Sequence, residues 1–358
     1  MAKTKSKPNK VSKKSGGWLV KIGVVIILAV LVAGYIGYRK LYKPNVRIEQ
    51  LDNQKYLFIH TGASFEQVIG MLDQCNCLCD MKSFEWMAVK MNYPNHIKAG
   101  KYLLKDGMSN RELLNMLKAG RQIPTRVIFH NIRFKWELAS DVSKQIEADS
   151  LSLLHLLNDD IFMSRYGLNS KTSMAMFIPN TYELYWNTQP EDFLERMHKE
   201  YKRFWNDAKV QKAKSINLSP IEVSTLASVI EEETQKNDEK KTMAGVYINR
   251  LKKGIPLQAD PTVRFAYGDF SIKRILDKYK DIDSPYNTYK YNGLPPGPIC
   301  IPSISSIDAV LNYQRSEYLY FCAKEDFSGY HNFARTLEQH NVNAAKYQRA
   351  LNRNRIMK

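Results

Sequence analysis

The chain has 358 residues, 44% of them hydrophobic and 11% aromatic, an ordinary composition for globular protein and enough length for about two domains beyond a tail. The formal net charge is +17, of which residues 1–40 supply +9 and the remaining residues +8. The lysine-rich tail has no aromatic side chain for base stacking, which argues against nucleic acid and leaves an anion or nucleic-acid binder as an alternative based on charge alone.

An apolar run near the N-terminus predicts a single membrane-spanning helix. Seventeen uncharged residues extend from Ile22 to Tyr38, close to the lower limit of about 17–25 residues for a spanning helix. Trp18 and Tyr35 flank the run at the two expected membrane interfaces. Six lysines before Gly16 favour a cytoplasmic N-terminus, so everything after the run is expected outside the membrane.

A cleaved signal peptide is the competing interpretation of this run, because its apolar region is also short. No small-x-small site follows the run, and Arg39 and Lys40 lie where cleavage would be expected. We therefore predict a cytoplasmic tail over residues 1–16 and an uncleaved transmembrane helix over residues 17–38.

A small α/β module is predicted over residues 39–125. Residues 56–60 have strand composition, and a helix follows in which Ser64 and Gln67 form a capping box. The pattern returns with Ser109 as the cap, and residues 98–104 between the two boxes read as a turn and a strand. Such a unit carries no evident chemistry, so binding or spacing is its expected role.

A mixed, largely helical domain is predicted over residues 126–358, which gives the whole chain an α+β fold class. Helical patterns cover residues 135–165 and 190–252, and strands are expected near residues 127–129 and 319–323. Residues 177–182 read as a turn, and residues 336–353 as a closing helix.

Metal and cofactor chemistry is not expected. The five cysteines include a C-x-C-x-C run, whose spacing differs from the usual C-x2-C of zinc sites and which has no histidine nearby. We expect these cysteines to be buried or locally paired: Cys75, Cys77, Cys79, Cys300 and Cys322. The sequence also contains no G-x-S-x-G, H-E-x-x-H or G-x4-G-K-[ST] motif.

Three consecutive glutamates lie in a helix predicted from Pro220 to Lys236, with Ser219 as its cap. At 100° per residue, Glu231 and Glu233 flank the apolar stripe of this helix on opposite edges, while Glu232 points toward water. Desolvation at a cleft would raise the pKa of one or both flanking carboxyls and let it donate a proton to a glycosidic oxygen. An exposed acidic helix face is the alternative interpretation.

Polar groups suited to holding sugar rings follow downstream. Gln258, Asp260 and Thr262 lie on a turn between two prolines, and Asn287 and Tyr289 lie in a Tyr-Asn-Thr-Tyr segment. Amide, hydroxyl and aromatic groups can bind amide-bearing sugars by hydrogen bonds and by stacking. Taken alone, these are also ordinary loop residues.

The glutamate segment and its neighbours resemble the endolytic murein transglycosylase, or YceG-like, family. The resemblance is carried by residues 227–234 (ASVIEEET), 244–251 (AGVYINRL), 257–263 (LQADPTV), 286–299 (YNTYKYNGLPPGPI) and 331–333 (HNF). The order and spacing of these segments match as well. The sequence departs from the family pattern at residues 130–132 and 178–182, outside the glutamate motif.

This resemblance implies one membrane span, a LysM-like module and a catalytic domain. It implies cleavage between N-acetylmuramic acid and N-acetylglucosamine inside nascent glycan strands, leaving a 1,6-anhydro end and terminating strand elongation. In the resemblance Glu231 falls on the catalytic glutamate, with Glu233, Gln258, Asp260, Thr262, Asn287 and Tyr289 as substrate-binding candidates. The implied partners are peptidoglycan strands and the cytoplasmic membrane, with cell-wall synthases as candidate partners and no cofactor or metal. A non-catalytic, membrane-anchored peptidoglycan-binding scaffold remains the alternative.

Overall fold

The computed structural model describes residues 16–48, 54–130, 132–272 and 275–353. The chain divides into two compact units, Met1–Ile123 and Pro124–Lys358. The basic tail predicted over residues 1–16 lies, except for Gly16, outside the described residues. Helices and strands are mixed in both units, in agreement with the predicted α+β class.

The first unit begins with one long apolar helix, which is followed by a small helix–strand assembly. Its elements are α1 (Gly16–Tyr42), β1 (Gln54–Ile59), α2 (Phe65–Cys75), α3 (Met81–Lys90), β2 (Gly100–Lys105) and α4 (Asn110–Ala119). Residues Val20–Tyr42 of α1 are long and apolar enough to cross a membrane, and the helix is exposed rather than packed in a core. These properties support the predicted membrane anchor.

Both predicted capping boxes are present in the first unit. Ser64 caps α2 through the backbone N–H of Gln67, and Ser109 caps α4 through that of Glu112. Gly120 ends α4 in the left-handed conformation at φ 69°, which glycine adopts without the steric cost of a Cβ. The two strands β1 and β2 pair in antiparallel register and cover a core of buried aliphatic and aromatic side chains.

The second unit contains eleven α-helices and two small antiparallel sheets within the residues that the structure describes. The helices are α5 (Lys135–Ser143), α6 (Ser150–Asn158), α7 (Asp160–Ser164), α8 (Pro190–Phe204), α9 (Asp207–Ser215), α10 (Pro220–Glu233), α11 (Lys240–Lys252), α12 (Asp260–Tyr267), α13 (Asp277–Lys280), α14 (Ile304–Leu311) and α15 (Leu337–Arg353). The strands are β3 (Pro124–Ile128), β4 (Thr181–Tyr185), β5 (Tyr320–Ala323) and β6 (His331–Ala334), with β3 paired to β4 and β5 to β6. A short 3-10 helix covers Ser173–Met176.

One predicted turn overlaps a strand at its end. Residues 177–182 were expected to form a turn, but Thr181 already begins β4 and pairs with Ile128 of β3. The hydroxyl of Tyr182 donates to the carbonyl of Ile178 at 2.5 Å, so the polar residues at the start of the strand are held by local bonds. The alternation of buried and exposed side chains along β4 explains why the short segment is a strand.

The helix α10 is the centre of the second unit. Every residue from Val223 to Ile230 is buried, including three hydroxyl side chains, so the helix has no solvent face over this stretch. It packs against α9, α11, α12 and α14. Its cap at Ser219 is confirmed, whereas its predicted end at Lys236 is wrong because Thr234 is already extended.

The loop before α14 passes close to the rest of the unit. A Cβ atom on Gly297 would lie 1.9 Å from the carbonyl oxygen of Lys171, which only glycine avoids. Beyond it, Ser228 of α10 accepts the backbone N–H of Ile299 at 3.0 Å. The proline-rich segment of residues 293–299 is therefore fixed against α10.

All five cysteines are free. Cys77 and Cys300 are buried, Cys75 and Cys322 are half-buried, and Cys79 is exposed. We expected these cysteines to be buried or locally paired, and two of the five are buried.

Candidate functional site

The three glutamates at the end of α10 contact three different parts of the second unit. Glu231 bonds to Lys240 and the start of α14, Glu232 to Arg133, and Glu233 to Tyr247. Successive residues on a helix point about 100° apart, so a central helix sends adjacent side chains to separate neighbours. The triple run therefore does not act as one acidic patch.

Glu233 lines a cavity of about 370 Å³ in the second unit. Burial raises the pKa of its carboxyl to about 7, a hydrogen bond from Tyr247 lowers it, and the nearby Asp260 carboxylate raises it further. The Tyr247 hydroxyl donates to Glu233 Oε1 at 2.9 Å. A carboxyl with a pKa near 7 can both donate and accept a proton at neutral pH, which is what general acid–base catalysis requires.

Three of the predicted substrate-binding residues line the same cavity as Glu233. They are Gln258, Asp260 and Tyr289. The hydroxyl of Tyr289 donates to Asp260 Oδ1 at 2.6 Å, and burial next to this carboxylate raises the pKa of Tyr289. Gln258 has a left-handed backbone at φ 52°, and its side-chain oxygen accepts from Arg250 Nη2 at 2.6 Å. The structure thus brings together four residues that the sequence separates by up to 56 positions.

Two other predicted substrate-binding residues, Thr262 and Asn287, are fully buried and bonded inside the protein. The Thr262 hydroxyl donates to the carbonyl of Ala259 at 2.7 Å and lies 2.9 Å from the hydroxyl of Thr288. Asn287 donates to two backbone carbonyls and accepts the N–H of Tyr289 at 3.0 Å. This placement does not support direct substrate contact by either residue, and it gives both the role of holding the loop that carries Tyr289.

Glu231 lies in a cluster of its own. Its Oε2 atom accepts from Lys240 Nζ at 3.0 Å and from the hydroxyls of Ser303 and Ser306 at 2.5 Å each. Burial opposes its ionisation, but the two serines and Lys240 outweigh burial, so the pKa of Glu231 is lowered from its usual value. A carboxyl held ionised in this way is a poor proton donor at neutral pH, in contrast to the raised pKa that a general acid requires.

Glu232 does not point toward water, and this prediction was wrong. Its carboxylate accepts two hydrogen bonds from Arg133, at 2.8 Å from Nε and 3.0 Å from Nη2, and its side chain is only 14% exposed. The reason is the central position of α10, which leaves no direction at its end that is free of neighbouring segments. The pair belongs to the bidentate arginine–carboxylate class, which is stronger than a single-point contact.

Several residues of the cavity were not singled out from the sequence. They are Arg250, Tyr320, Phe321, Leu337 and His340. Tyr247 was also not singled out, although a buried tyrosine hydroxyl usually needs a partner, and that partner is the carboxyl of Glu233. The side chain of Arg250 bonds to the carbonyl of Pro256 at 2.9 Å and to Gln258, so it braces the turn that carries the polar groups.

No group of three or more histidine, cysteine, aspartate or glutamate side chains is arranged to hold a metal ion among the residues described by the structure.

Comparison with known proteins identifies the family of this chain. The family model described as "YceG-like family" matches residues 57–346, which is most of the chain. The chain belongs to the YceG-like family. The matched range contains the glutamate run and the whole cavity around Glu233.

YceG-like relatives are named endolytic murein transglycosylase in two bacteria. The Bacillus subtilis (strain 168) protein is 30% identical over 305 residues, covering 81% of this chain and 83% of that protein. The Streptococcus pneumoniae (strain D39) protein is 28% identical over 365 residues, and the match spans 91% of this chain and 64% of that longer protein. A crystal structure of a yceG-like protein from Listeria monocytogenes, with 27% identity and a TM-score of 0.55, covers 81% of this chain and 99% of that chain.

Proposed function

We propose that this YceG-like protein is a membrane-anchored lytic transglycosylase that cleaves peptidoglycan glycan strands internally, between N-acetylmuramic acid and N-acetylglucosamine. Cleavage would leave 1,6-anhydro ends and terminate strand elongation. The names of the relatives from Bacillus subtilis and Streptococcus pneumoniae support the reaction class. The acid–base residue in our proposal is Glu233, in place of Glu231, which the family resemblance favoured.

The observation that carries this proposal is the environment of Glu233. Its carboxyl faces a polar cavity, has a pKa of about 7, and is held at one oxygen by Tyr247. A hydrogen bond to one oxygen fixes the direction in which the other oxygen can meet a substrate. Glu231 does not line this cavity, and its cluster with Lys240 and two serines lowers the pKa of its carboxyl.

The proposed reaction uses one carboxyl in two steps. Protonated Glu233 donates its proton to the glycosidic oxygen, the bond from that oxygen to the anomeric carbon breaks, and an oxocarbenium-like centre develops. The 6-hydroxyl oxygen of the same sugar then forms a bond to the anomeric carbon, and the Glu233 carboxylate takes the hydroxyl proton. The carboxyl ends as it began, and no water enters, so the two-carboxylate arrangement of hydrolases is not required.

The other cavity residues would position the sugar. Gln258 is held by Arg250, and Asp260 by Tyr289, so each polar group has a fixed orientation before substrate arrives. Preorganised groups of this kind avoid the entropy cost of ordering side chains during the reaction. The negative charge of Asp260 would also favour the positive charge that develops at the anomeric carbon.

The proposed location is the cytoplasmic membrane, with the N-terminus in the cytoplasm and the enzyme outside. The apolar helix α1 supports the anchor, and the lysines before Gly16 support the orientation. In the same proposal, the helix–strand part of the first unit is a LysM-like module that contacts glycan, and cell-wall synthases are candidate partners.

Mass spectrometry of glycan strands incubated with the full-length protein in detergent micelles tests the reaction. We expect products that end in 1,6-anhydro sugars. Products with reducing ends would instead indicate a hydrolase, a second candidate that the two carboxyls of Glu233 and Asp260 in one cavity make worth testing. Intact glycan that co-sediments with the protein would favour the non-catalytic scaffold.

The pH dependence of kcat/KM is expected to follow the ionisation of Glu233. Because Glu233 must be protonated to donate, kcat/KM should fall as pH rises above about 7. The Tyr247 bond lowers this pKa and the Asp260 charge raises it, so Tyr247→Phe should move the alkaline limb to higher pH and Asp260→Asn to lower pH. Profiles of the three proteins over neutral and alkaline pH measure this, and limbs that coincide would contradict the assignment.

A further inference from the structure

A second depression, which we call the aromatic groove, lies in the same unit and is not used by the proposed chemistry. Its volume is about 410 Å³. It is lined by aromatic rings, by three cationic side chains and by smaller polar and apolar groups. The aromatic and cationic lining residues include Arg133, Phe134, Lys135, Trp136, Lys171 and Phe265.

Three rings of the aromatic groove form a nearly parallel ladder. Phe134 is the middle ring: its centroid lies 5.5 Å from that of Phe265 with planes 15° apart, and 6.0 Å from that of Trp136 with planes 10° apart. Trp136 is 58% exposed, so the ladder ends at a large ring in contact with solvent. A flat aromatic face of this kind presents negative charge density that attracts C–H groups.

The aromatic groove and the Glu233 cavity share α12, and one residue of the groove also bonds to α10. Arg133 is held by Glu232, whose Cα lies about 3.8 Å from that of Glu233 on α10. On α12, Asp260 lines the cavity and Phe265 lines the groove. Five residues of helix separate them by roughly 7.5 Å along the axis and about 140° around it, so a strand that occupies both sites has to follow the surface of α12.

Two of the three cations of the aromatic groove, Arg133 and Lys135, are engaged by the protein. Arg133 pairs with Glu232 and lies over the ring of Phe270, 4.3 Å from its centroid. Lys135 donates to the side chain of Asn158 at 2.6 Å, and burial lowers its pKa. The groove therefore offers an apolar surface with hydrogen-bonding groups at its rim rather than a strong attraction for carboxylates, which favours a neutral sugar over an acidic peptide.

We propose that the aromatic groove is a distal glycan subsite, in which Trp136 stacks against the apolar C–H face of a sugar ring of the same strand that Glu233 cleaves. This inference rests on the proposed function, because it takes the cavity substrate to be a glycan. Polar groups at the rim would bind the sugar's hydroxyl and amide groups. The subsite would make the protein prefer strands long enough to fill both the cavity and the groove.

Calorimetric titration with N-acetylglucosamine oligomers, which carry no stem peptide, tests the subsite. All proteins are full-length, in detergent micelles, and carry Glu233→Gln so that no oligomer is consumed. We expect Trp136→Ala to weaken binding of a long oligomer by about 2–10-fold, since an aromatic stacking contact is worth roughly 0.5–1.5 kcal/mol. Trp136→Phe should retain most of the affinity, and a disaccharide should bind all variants alike.

Tyr185→Ala is the matched control, because Tyr185 is a similarly exposed aromatic residue outside the groove. It should bind the long oligomer like the parent. Unchanged long-oligomer affinity in Trp136→Ala, or an effect of Trp136→Ala only on a free stem peptide, would overturn the subsite. Failure of the proposed function would give a different result, namely that Glu233→Gln keeps cleaving glycan. In that case, weaker oligomer binding by Trp136→Ala would still locate the subsite.

Discussion

Replacing Glu233 with glutamine is expected to lower glycan cleavage by at least about 10²–10⁴-fold, the usual contribution of general acid–base catalysis. Glutamine keeps the size of the side chain and can still accept the Tyr247 hydrogen bond, but it cannot transfer a proton. One carboxyl serves both proposed steps, so the loss should fall at the upper end of this range. Rates of anhydro-end formation, followed by mass spectrometry, measure it.

The stability of Glu233→Gln separates this effect from misfolding. The folded-state pKa is about 7 against an ordinary 4.5, so stability associated with the protonated form is fully present below about pH 4.5 and is lost as pH rises through about 7. A neutral glutamine does not undergo this loss. The variant should therefore be at least as stable as the parent above pH 7, and full cleavage activity in a folded Glu233→Gln protein would refute the assignment.

Much of the fold follows from local sequence signals. The capping boxes at Ser64 and Ser109 and the cap at Ser219 are present as predicted, since each depends on side chains within three residues of the helix start. The strand β4 was missed because its alternating pattern covers only five residues and its partner β3 lies more than fifty residues earlier in the chain. Local patterns do not contain that pairing.

The candidate site was predicted in part. Helical phase correctly placed Glu231 and Glu233 on different sides of α10, but it could not say which side faces a cavity. That depends on what surrounds the helix: Lys240, Ser303 and Ser306 on one side, and Tyr247 on the other. The prediction from helical phase also assumed that α10 has one face in contact with solvent. A central helix lacks such a face, and this is why Glu232 was predicted to point toward water.

The predicted substrate-binding residues on turns also show that local sequence does not reveal which side chains face the cavity. Gln258, Asp260 and Tyr289 meet at the cavity, whereas Asn287, two residues before Tyr289, is turned inward and bonded to the backbone. An asparagine that binds a sugar and one that braces its own loop are the same in sequence. Burial distinguishes them, and burial depends on the tertiary fold.

Replacing Glu231 with glutamine is expected to reduce the free energy of unfolding rather than the rate of the chemical step. Lys240 is only 4% exposed and pairs with Glu231 at 3.0 Å, so the substitution leaves a buried ammonium without its counter-charge. Removing one partner of a buried pair typically costs about 3–5 kcal/mol. Denaturant unfolding should show this loss, while anhydro-end formation per folded molecule at low temperature should stay near the parent value.

Two comparisons make the Glu231 prediction specific. Glu195→Gln removes an exposed i,i+4 pair with Lys199 and should leave the free energy of unfolding nearly unchanged, because solvent screens the pair. Combining Glu231→Leu with Lys240→Met removes both charges and should restore part of the lost stability, because no unpaired charge remains. The pKa of Glu231 is lowered in the folded state, so its stabilising effect is present above its ordinary pKa of 4.5 and lost on acidification. If Glu231→Gln instead unfolded like the parent and abolished cleavage, the acid–base role would return to Glu231, and Glu233 would be a supporting residue.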